Sequence, residues 1–209
     1  MVNELAMVII TIEVNEMKYA LIGDLHSSIK DTKAVLKQIE ACNLQSNIIG
    51  IGDLYECMIG KKKLQTLTTK LPLTEAAIVK PKFENLLTFP SVIGNQEERI
   101  ALVTGETRFL KFPEKIMIEH ATVMHGHQFD YTESFELIPP SFDTPLLFFG
   151  HSHYSALYVD NVRHQIIMDV PYQLSDGKQY IINVGSVIDK REWCIYDSEQ
   201  MTVTFKKAD

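Results

Sequence analysis

Two histidines follow one apolar run at a spacing that could bind a metal ion. The stretch LLFFGHSHY places His151 and His153 two residues apart, directly after four apolar residues and Gly150. In an extended chain, residues i and i+2 point to the same side, so both imidazoles would converge just beyond the end of a strand. Two neutral imidazoles aimed at one point form a good metal site. For an HxH pair taken alone, two surface histidines in a turn are the more common arrangement, so the rest of the chain must decide.

The same ending recurs along the chain. The runs ALIGD, IIGIGD, SVIGN, VMHG and LFFGH all end in a glycine beside a polar residue. In open α/β sheets, ligands bind beyond the carboxyl ends of the strands, so these polar side chains would meet if the strands are neighbours. They comprise two carboxylates, one carboxamide and four imidazoles: Asp24, His26, Asp53, Asn95, His125, His151 and His153.

Each of these dipeptides alone is also typical of a turn, because Gly, Asp and Asn are common turn residues. The set is harder to explain that way, since the chain has seven histidines and five of them, including His127, lie at these strand ends. Imidazole with carboxylate suits Mn, Fe, Zn, Co or Ni and does not choose among them. One carboxylate can bridge two ions about 3.5–4 Å apart, as in two-metal hydrolases.

The elements that must position these residues alternate between strands and helices. Residues 28–41 are predicted to form a helix, with capping-box spacing between Ser28 and Asp31, and residues 96–103 a second helix that Gly105 ends. The apolar patterns predict strands in MKYALIGD, SNIIGIGD, FPSVIGN, ATVMHGH and LLFFGH, and further short strands in HQIIMDV, QYIINV, WCIYD and MTVTF.

Two segments lie outside this pattern. Residues 57–88 are polar, rich in Lys and Thr, and interrupted by Pro72 and Pro81, which indicates one or two short helices. Both ends of this segment are tied to predicted ligand strands, so it could form a cap or rim over a substrate cleft; an ordinary crossover helix with a surface excursion is an equal alternative. Residues 8–14 alternate in part and predict an additional strand. No linker divides the chain, so a single domain over residues 1–209 is expected.

Composition excludes several classes of protein. The net charge of −7 and the absence of a long basic run disfavour a protein that coats nucleic acid. Three widely spaced cysteines without a CxxC motif indicate reduced thiols in a cytoplasmic protein. No basic leader with a long apolar segment and no membrane-spanning stretch is evident, so neither secretion nor a membrane location is expected.

In order and spacing, the strand-end motifs resemble those of the calcineurin-like metallophosphoesterase family. The family pattern is D-x-H, GD, GNH followed by an acidic residue, H, and GH-x-H, and the matches span residues 24–153. The stretch INVGSV also resembles the N-P-G-S segment of its small single-domain phosphodiesterases, with Val184 where proline is usual. Met17 lies where members of the family usually begin, so residues 1–16 resemble an N-terminal extension.

The resemblance implies a four-layer αββα sandwich, with two central mixed sheets flanked by helices and two divalent metal ions at the strand ends. Manganese is the first expectation for those ions. A hydroxide bridging the ions would attack phosphorus in line. The resemblance also implies the ligand roles: Asp24, His26 and His153 for one ion, Asn95, His125 and His151 for the other, and Asp53 between them.

One departure concerns the leaving group. The family often has a histidine after the GN asparagine, whereas this chain has Gln96. His127 is a candidate replacement for the missing imidazole, and its alternative role is that of a loop histidine or a contact behind the ligands. Asn95, Gln96 and His127 are therefore the candidate catalytic residues.

The resemblance and the complete ligand set predict a metal-dependent phosphoesterase that acts on small phosphodiesters or nucleotide-type substrates. Alternatives are a phosphomonoesterase, a dinucleoside polyphosphate hydrolase, or a catalytically weak protein-binding module on the same fold, like a retromer subunit of this branch. A chain that no longer needs to catalyse a reaction should lose some of its metal ligands, and all seven are present here. The substrate stays open, as does assembly into a homo-oligomer.

Overall fold

The structure of the chain is a computed structural model, and it describes residues 17–132, 137, 138 and 140–209. The strand predicted at residues 8–14, and with it the predicted extension 1–16, lies outside the described residues. In the described part of the chain, no helix has the length and apolar character needed to cross a membrane.

Short strands make up most of the described regular structure. The strands are β1 (Lys18–Ile22), β2 (Ile48–Gly50), β3 (Glu56–Cys57), β4 (Ala77–Ile78), β5 (Lys115–Ile118), β6 (Ala121–Met124), β7 (Leu146–Phe149), β8 (Ala156–Val159), β9 (Val162–His164), β10 (Pro171–Gln173), β11 (Tyr180–Asn183), β12 (Glu192–Asp197) and β13 (Thr202–Lys207). The helices are α1 (Ile29–Ala41), α2 (Lys61–Leu64), α3 (Leu73–Ala76), α4 (Pro81–Glu84), α5 (Asn95–Thr104) and α6 (Val187–Lys190), with a 3₁₀ helix at Thr107–Lys111.

The strands form two mixed sheets and one small hairpin. The five-stranded sheet has the order β10-β13-β12-β1-β2, and the six-stranded sheet has the order β5-β6-β7-β11-β8-β9. β1 and β2 are parallel, as are β6 and β7, while β12 and β8 add antiparallel neighbours. The hairpin of β3 and β4 stands apart from both sheets. The predicted α/β fold with two central mixed sheets is confirmed.

The period-two alternation of β1 shows how the layers stack. Tyr19 and Leu21 belong to the buried cluster between the two sheets, where Phe148 and Ile182 of the six-stranded sheet meet them. Ala20 and Ile22 belong to the cluster on the opposite face, which also contains buried residues of α1, α4, α5 and α6. The five-stranded sheet is thus packed between the second sheet and a helical layer, as successive side chains on a strand require.

The outer face of the six-stranded sheet is covered differently. Leu147, Phe149 and Ile181 form a small buried cluster there, against partly buried side chains that include Phe129 and Phe142. Those two side chains come from the segment between β6 and β7, which forms no helix in its described residues. The fourth layer of the sandwich is therefore made by irregular chain in the part that the structure describes.

Most predicted elements occur near their predicted positions. The helix predicted at residues 28–41 is α1, and the side chain of Ser28 accepts a hydrogen bond from the Asp31 backbone N–H at 3.4 Å. The helix predicted at 96–103 is α5, which ends at Gly105 in the left-handed conformation (φ 81°). Residues 57–88 contain three short helices and the second strand of the small hairpin.

Two strand predictions are wrong. FPSVIGN runs beside the end of β2, where the Gly50 N–H donates to the Pro90 carbonyl and the Gly50 carbonyl accepts from the Val92 N–H. The pairing goes no further than this isolated bridge between Gly50 and Ser91. In HQIIMDV, Asp169 has a φ of 63°, which ends extended structure, and β10 begins only at Pro171. Both segments carry apolar side chains inward without continuing a ladder.

Candidate metal centre

The seven predicted ligands come together at one edge of the sandwich. Asp24 and Asp53 follow the adjacent parallel strands β1 and β2. His125 and His151 follow β6 and β7, which are adjacent and parallel in the other sheet. Because parallel neighbours end at the same edge, four separate stretches of sequence deliver side chains to one place.

One carboxylate and two imidazoles form the first ligand group: Asp24, His26 and His153. Their ligand atoms all lie within 4.8 Å of one another. Asp24 Oδ1 is 3.3 Å from His153 Nε2 and 4.0 Å from His26 Nε2. Asp24 Oδ1 and His26 Nε2 are buried and have no hydrogen-bond partner among the described residues. The ligand atoms of this group therefore face one another, and His26 Nε2 is left without any partner at hydrogen-bond distance.

The second ligand group has the same composition: Asp53, His125 and His151, again with ligand atoms within 4.8 Å of one another. His125 is fully buried, and its Nε2 lies 3.3 Å from Asp53 Oδ2. The carboxamide oxygen of Asn95 lies 3.2 Å from the same nitrogen. The structure thus places Asn95 beside this group, at the start of α5.

Asp53 faces both groups. Its Oδ2 is 3.3 Å from His125 Nε2 and 3.8 Å from His26 Nε2. Its other oxygen, Oδ1, accepts a hydrogen bond from the Gln96 backbone N–H at 2.8 Å. One carboxylate oxygen is therefore fixed by the helix start, while the other is directed at histidines of both groups.

The backbone around the site is strained. Five of the seven predicted ligands have positive φ values, between 45° and 63°: Asp24, His26, Asp53, His151 and His153. Side chains other than glycine rarely adopt this conformation, which costs on the order of 1–3 kcal/mol per residue. Strain of this kind persists where the surrounding structure over-determines it, and such residues cluster at active sites. Its concentration here is independent support for a functional centre.

Two carboxylates outside the motifs contact the first ligand group from behind. Glu56 Oε2 is 2.5 Å from Nδ1 of His26, and Asp189 Oδ2 is 2.5 Å from Nδ1 of His153. Sequence reasoning missed both residues, because Glu56 lies in the hairpin strand β3 and Asp189 in α6, and neither belongs to a recognisable spacing. The equivalent nitrogen of His125 contacts a backbone carbonyl instead, that of Ile51 at 2.6 Å.

A third missed carboxylate holds the loop of Asp53. Glu97 is fully buried, and its carboxylate accepts hydrogen bonds from the backbone N–H groups of Asp53, Tyr55 and Gly94 at 2.8–3.0 Å. The only sign of Glu97 in the sequence was the family pattern, in which an acidic residue follows GNH. Glu97 therefore joins the start of α5 to the turn after β2.

Asn183, from the INVGSV stretch, holds the loop of the two histidines at 151 and 153. Its Nδ2 donates to the Gly150 carbonyl at 2.9 Å and to the Ser152 hydroxyl at 2.8 Å. Its Oδ1 accepts from the Gly185 N–H at 3.0 Å. The segment that resembles a family motif thus braces the GHSH loop and contributes no ligand of its own.

The charges around the two groups differ in their effect on the histidines. Burial lowers the pKa of His153, but the carboxylates of Asp24 and Asp189 outweigh it and raise the pKa to about 9. Burial lowers the pKa of His151, and the neighbouring charge of His125 lowers it further, to about 4. Burial also lowers the pKa of His125, but the Asp53 carboxylate outweighs it and raises the pKa to about 9, so the second ligand group contains one histidine with a raised pKa and one with a lowered pKa.

The two candidates for handling the leaving group are placed differently. Gln96 is buried, and its side-chain oxygen accepts a hydrogen bond from the Cys57 backbone N–H at 3.1 Å. His127 lies beside the second ligand group, with its ring centroid 5.3 Å from that of His125 and its Nε2 3.2 Å from Glu98 Oε2. Gln96 thus ties α5 to the hairpin, and His127 is the imidazole next to the ligands.

The donor set fits divalent transition-metal ions. Imidazole and carboxylate are suitable first-row metal ligands, and each group offers two of the former and one of the latter. The buried atoms without partners, Asp24 Oδ1 and His26 Nε2, are the kind of donors that a cation would satisfy. The residues present therefore fit the metals that the motifs implied.

Comparison with known proteins agrees with this geometry. A sequence profile of the calcineurin-like phosphoesterase superfamily domain matches residues 17–200. The solved structure of a metallophosphoesterase from Sphaerobacter thermophilus is similar with a TM-score of 0.60 at 20% identity, over 92% of this chain and 89% of that chain. That similarity shows a shared fold.

Two further solved structures are similar at lower scores. Yfce, a phosphoesterase from E. coli, has a TM-score of 0.48 at 18% identity, over 92% of this chain and 100% of that chain. An archaeal phosphodiesterase has a TM-score of 0.45 at 13% identity, over 91% of this chain and 99% of that chain. No curated protein sequence matches the chain significantly.

Proposed function

The chain belongs to the calcineurin-like phosphoesterase superfamily and is a phosphoester hydrolase, and we propose that it hydrolyses small phosphodiester or nucleotide-type substrates at a dinuclear metal centre. The observation that carries the proposal is the arrangement of the two ligand groups. Each offers one carboxylate and two imidazoles, and Asp53 faces histidines of both.

We assign the ligands as follows. The first ligand group would hold one ion, and His125, His151 and Asn95 would hold the other, with Asp53 available to both. Manganese is the metal we expect first. When bound, the two ions supply positive charge for the phosphoryl oxygens and increase the acidity of water.

The chain's own residues orient this chemistry. The hydrogen bond from the Gln96 N–H fixes one oxygen of Asp53, so that the other oxygen stays directed at both histidine sets. Asn95 at the first turn of α5 presents a neutral carboxamide to the second ligand group, where it can hold a phosphoryl oxygen or an ion without adding charge. His127 stands beside that group and can donate a hydrogen bond or a proton to a departing oxygen.

The location and substrate size follow from the same reasoning. The free thiols of Cys42, Cys57 and Cys194 are compatible with a reducing compartment, which supports our proposal of a cytoplasmic enzyme. The net charge of −7 disfavours a long polyanion as substrate, and we propose a small phosphoester instead.

A screen of metals against substrates tests the proposal. The metal-free protein would be loaded with Mn²⁺, Zn²⁺, Co²⁺ or Ni²⁺ and assayed with bis-p-nitrophenyl phosphate, p-nitrophenyl phosphate, cyclic nucleotides and a dinucleoside polyphosphate. We expect two ions per chain and the highest kcat/KM on the diester. Preference for the monoester or the polyphosphate would replace the proposed substrate class, and metal binding without turnover of any substrate would favour a binding module.

A further inference from the structure

The two ligand groups have matching donors but different surroundings. In the first, the outer nitrogens of both histidines contact carboxylates: Glu56 on His26 and Asp189 on His153, each at 2.5 Å. In the second, the outer nitrogen of His125 contacts the neutral carbonyl of Ile51 at 2.6 Å. The difference lies behind the ligands, where it does not change which atoms could coordinate an ion.

A carboxylate behind a histidine ligand affects metal binding in two ways. It fixes the ring orientation and tautomer, so that the inner nitrogen is presented as a lone pair, and it makes that nitrogen a stronger donor. Such partners typically contribute about 10–100-fold to metal affinity. A carbonyl also fixes the tautomer, but it adds no net charge near the ion. Two carboxylates against one carbonyl should therefore separate the affinities of the two sites.

The ligand atoms themselves also favour tighter binding in the first ligand group. In the first ligand group, Asp24 Oδ1 and His26 Nε2 are buried and have no hydrogen-bond partner among the described residues. In the second, His125 Nε2 already lies 3.2 Å from the Asn95 oxygen and 3.3 Å from Asp53 Oδ2. In each group a cation would replace one carboxylate–histidine contact of 3.3 Å, Asp24 Oδ1 to His153 Nε2 in the first and Asp53 Oδ2 to His125 Nε2 in the second. In the first it would also satisfy His26 Nε2, which is buried and has no hydrogen-bond partner among the described residues, whereas in the second it must also displace the Asn95 oxygen from His125.

We propose that Glu56 and Asp189 are positioning residues that make the first ligand group the tighter cation site, so that its ion binds first and the ion of the second ligand group binds later and exchanges faster. This inference rests on the proposed function, since it concerns the same ions. It adds residues from β3 and α6 to the centre, so the strand that leads into the 57–88 segment supports metal binding.

Titration of the metal-free protein with one metal at a time tests the order of filling. Calorimetry with Mn²⁺ gives the two dissociation constants, and a parallel titration with diamagnetic Zn²⁺ shows, in NMR spectra of the ¹⁵N-labelled histidine rings, which imidazole nitrogens shift on coordination. In the wild type, we expect the signals of His26 and His153 to shift during the first equivalent. Those of His125 and His151 should shift during the second.

Neutral variants of the same shape then test the two carboxylates. Glu56→Gln and Asp189→Asn should each weaken the tighter site by about 10–100-fold and leave the weaker site unchanged. Matched controls are Glu84→Gln, whose carboxylate is 32% exposed against 34% for Glu56, and Asp160→Asn, at 46% against 53% for Asp189. Both control carboxylates pair with surface cations, Arg108 and Lys178, and should not change either constant.

The outcomes separate this inference from the proposed function. A wild type that binds no Mn²⁺ would refute the metal centre itself. A wild type that binds two ions, but fills the second ligand group first or both groups together, would refute only the order. If the two variants weaken both sites equally, or no more than their controls, Glu56 and Asp189 are not positioning residues. Thermal unfolding of the metal-free variants identifies any that lose affinity through a loss of fold, and the other carboxylate variant then decides.

Discussion

The two ligand groups contain the same donors but depend on different parts of the chain. The first ligand group is supported by side chains far away in sequence: Glu56 lies 30 residues from His26, and Asp189 lies 36 residues from His153. The ligands of the second group contact backbone groups instead, the Ile51 carbonyl on His125 and the Gln96 N–H at the start of α5 on Asp53.

This difference indicates how each group can be altered. A substitution of one remote side chain can weaken the first ligand group without moving its ligands. The second ligand group should resist a substitution directly behind His125, because a backbone carbonyl remains whatever the side chain is. It should respond to anything that shifts a strand-end turn, such as loss of the Glu97 carboxylate that holds the Asp53 loop. Asp53 is the exception that connects the two groups.

The largest effect is expected from replacing Asp53, the residue that connects the two ligand groups. Because Asp53 faces histidines of both groups, Asp53→Ala should remove binding of both ions and abolish hydrolysis, a loss well beyond the about 10–100-fold of a substitution behind a ligand. Metal content after loading with Mn²⁺ and kcat/KM on bis-p-nitrophenyl phosphate measure it. Asp176→Ala, at an exposed position, is the control. Retention of one tightly bound ion would show that Asp53 serves a single group.

The second prediction concerns His127, an imidazole beside the second ligand group that the first group lacks. If it donates the proton to the leaving oxygen, His127→Ala should lower the rate on alkyl phosphodiesters by about 10²–10⁴-fold and change aryl diesters little, because a nitrophenolate leaves without help. Rates on matched aryl and alkyl esters check this. Equal losses on both esters would mean that His127 supports the ligands instead.

Gln96→His is the companion test. A histidine would complete the GNH motif of the family pattern, and the motif alone predicts faster alkyl ester hydrolysis. The structure adds a competing effect, since the Gln96 side chain accepts from the Cys57 N–H and would leave that buried donor unpaired. If the variant is as stable as the wild type and hydrolyses alkyl esters faster, position 96 acts on the leaving group, as the motif predicts. If the variant is less stable and hydrolyses alkyl esters no faster, Gln96 serves to hold α5 against β3.

The third prediction concerns two glycines beside the ligands: Gly94, which packs against Asp53 and Glu97, and Gly150, which packs against Asp24. A Cβ at Gly94 would meet Asp53 and Glu97, and a Cβ at Gly150 would lie 2.6 Å from Asp24 Oδ2. Each alanine should cost about 1–3 kcal/mol of unfolding free energy through overpacking. Gly94→Ala should also weaken both ions through Asp53, while Gly150→Ala should weaken the first ion more than the second, because it displaces the ligand Asp24 and reaches the second group only through the hydrogen bond that Asp24 Oδ2 accepts from the His151 N–H.

Gly60→Ala is the matched control for both glycine variants. No heavy atom lies within 4 Å of the added Cβ, and φ is −68°, which alanine adopts readily. It should therefore be neutral or stabilise by about 0.4–1 kcal/mol. Denaturant unfolding and Mn²⁺ titration measure all three variants. The comparison fails if Gly94→Ala and Gly150→Ala have the same effect on the two ions.

The same contrast explains what the sequence could predict. The ligands were visible because each strand end repeats one short pattern, with glycine next to Asp, Asn or His. Glu56 and Asp189 were not, because a lone acidic residue in a two-residue strand or a four-residue helix has no periodicity or spacing that marks it. They become recognisable only when the fold brings them to the outer nitrogens of His26 and His153.

The fold shows a similar limit. Long periodic elements such as α1 and β12 were predictable, because many side chains along them repeat one pattern. FPSVIGN has the composition of a strand but forms a single bridge, because sheet formation depends on a partner that local sequence does not specify. The irregular layer over the six-stranded sheet likewise follows from tertiary packing of Phe129 and Phe142.

The smallest effect is expected from the segment that begins behind the first ligand group. Residues 57–88 pack many apolar side chains, including Phe83 and Leu71, into the helical side of the core, as a crossover would. Their cap or rim role stays a prediction, and α2 offers a mild test because Lys61, Lys62 and Lys63 are exposed. If α2 borders the substrate cleft, these lysines raise the local concentration of an anionic diester.

Replacing the three lysines with alanine should then raise KM for bis-p-nitrophenyl phosphate by roughly threefold at low salt and leave kcat unchanged, since their charge acts on encounter and not on the reacting atoms. The difference should vanish at high salt, where the screening length falls to about 3 Å at 1 M. Lys178→Ala, at an exposed lysine beside Asp160, controls for the loss of a surface lysine away from α2. An unchanged KM at low salt would leave the crossover interpretation. A change in kcat or in Mn²⁺ affinity would instead show that the segment acts through Glu56 on the first ligand group.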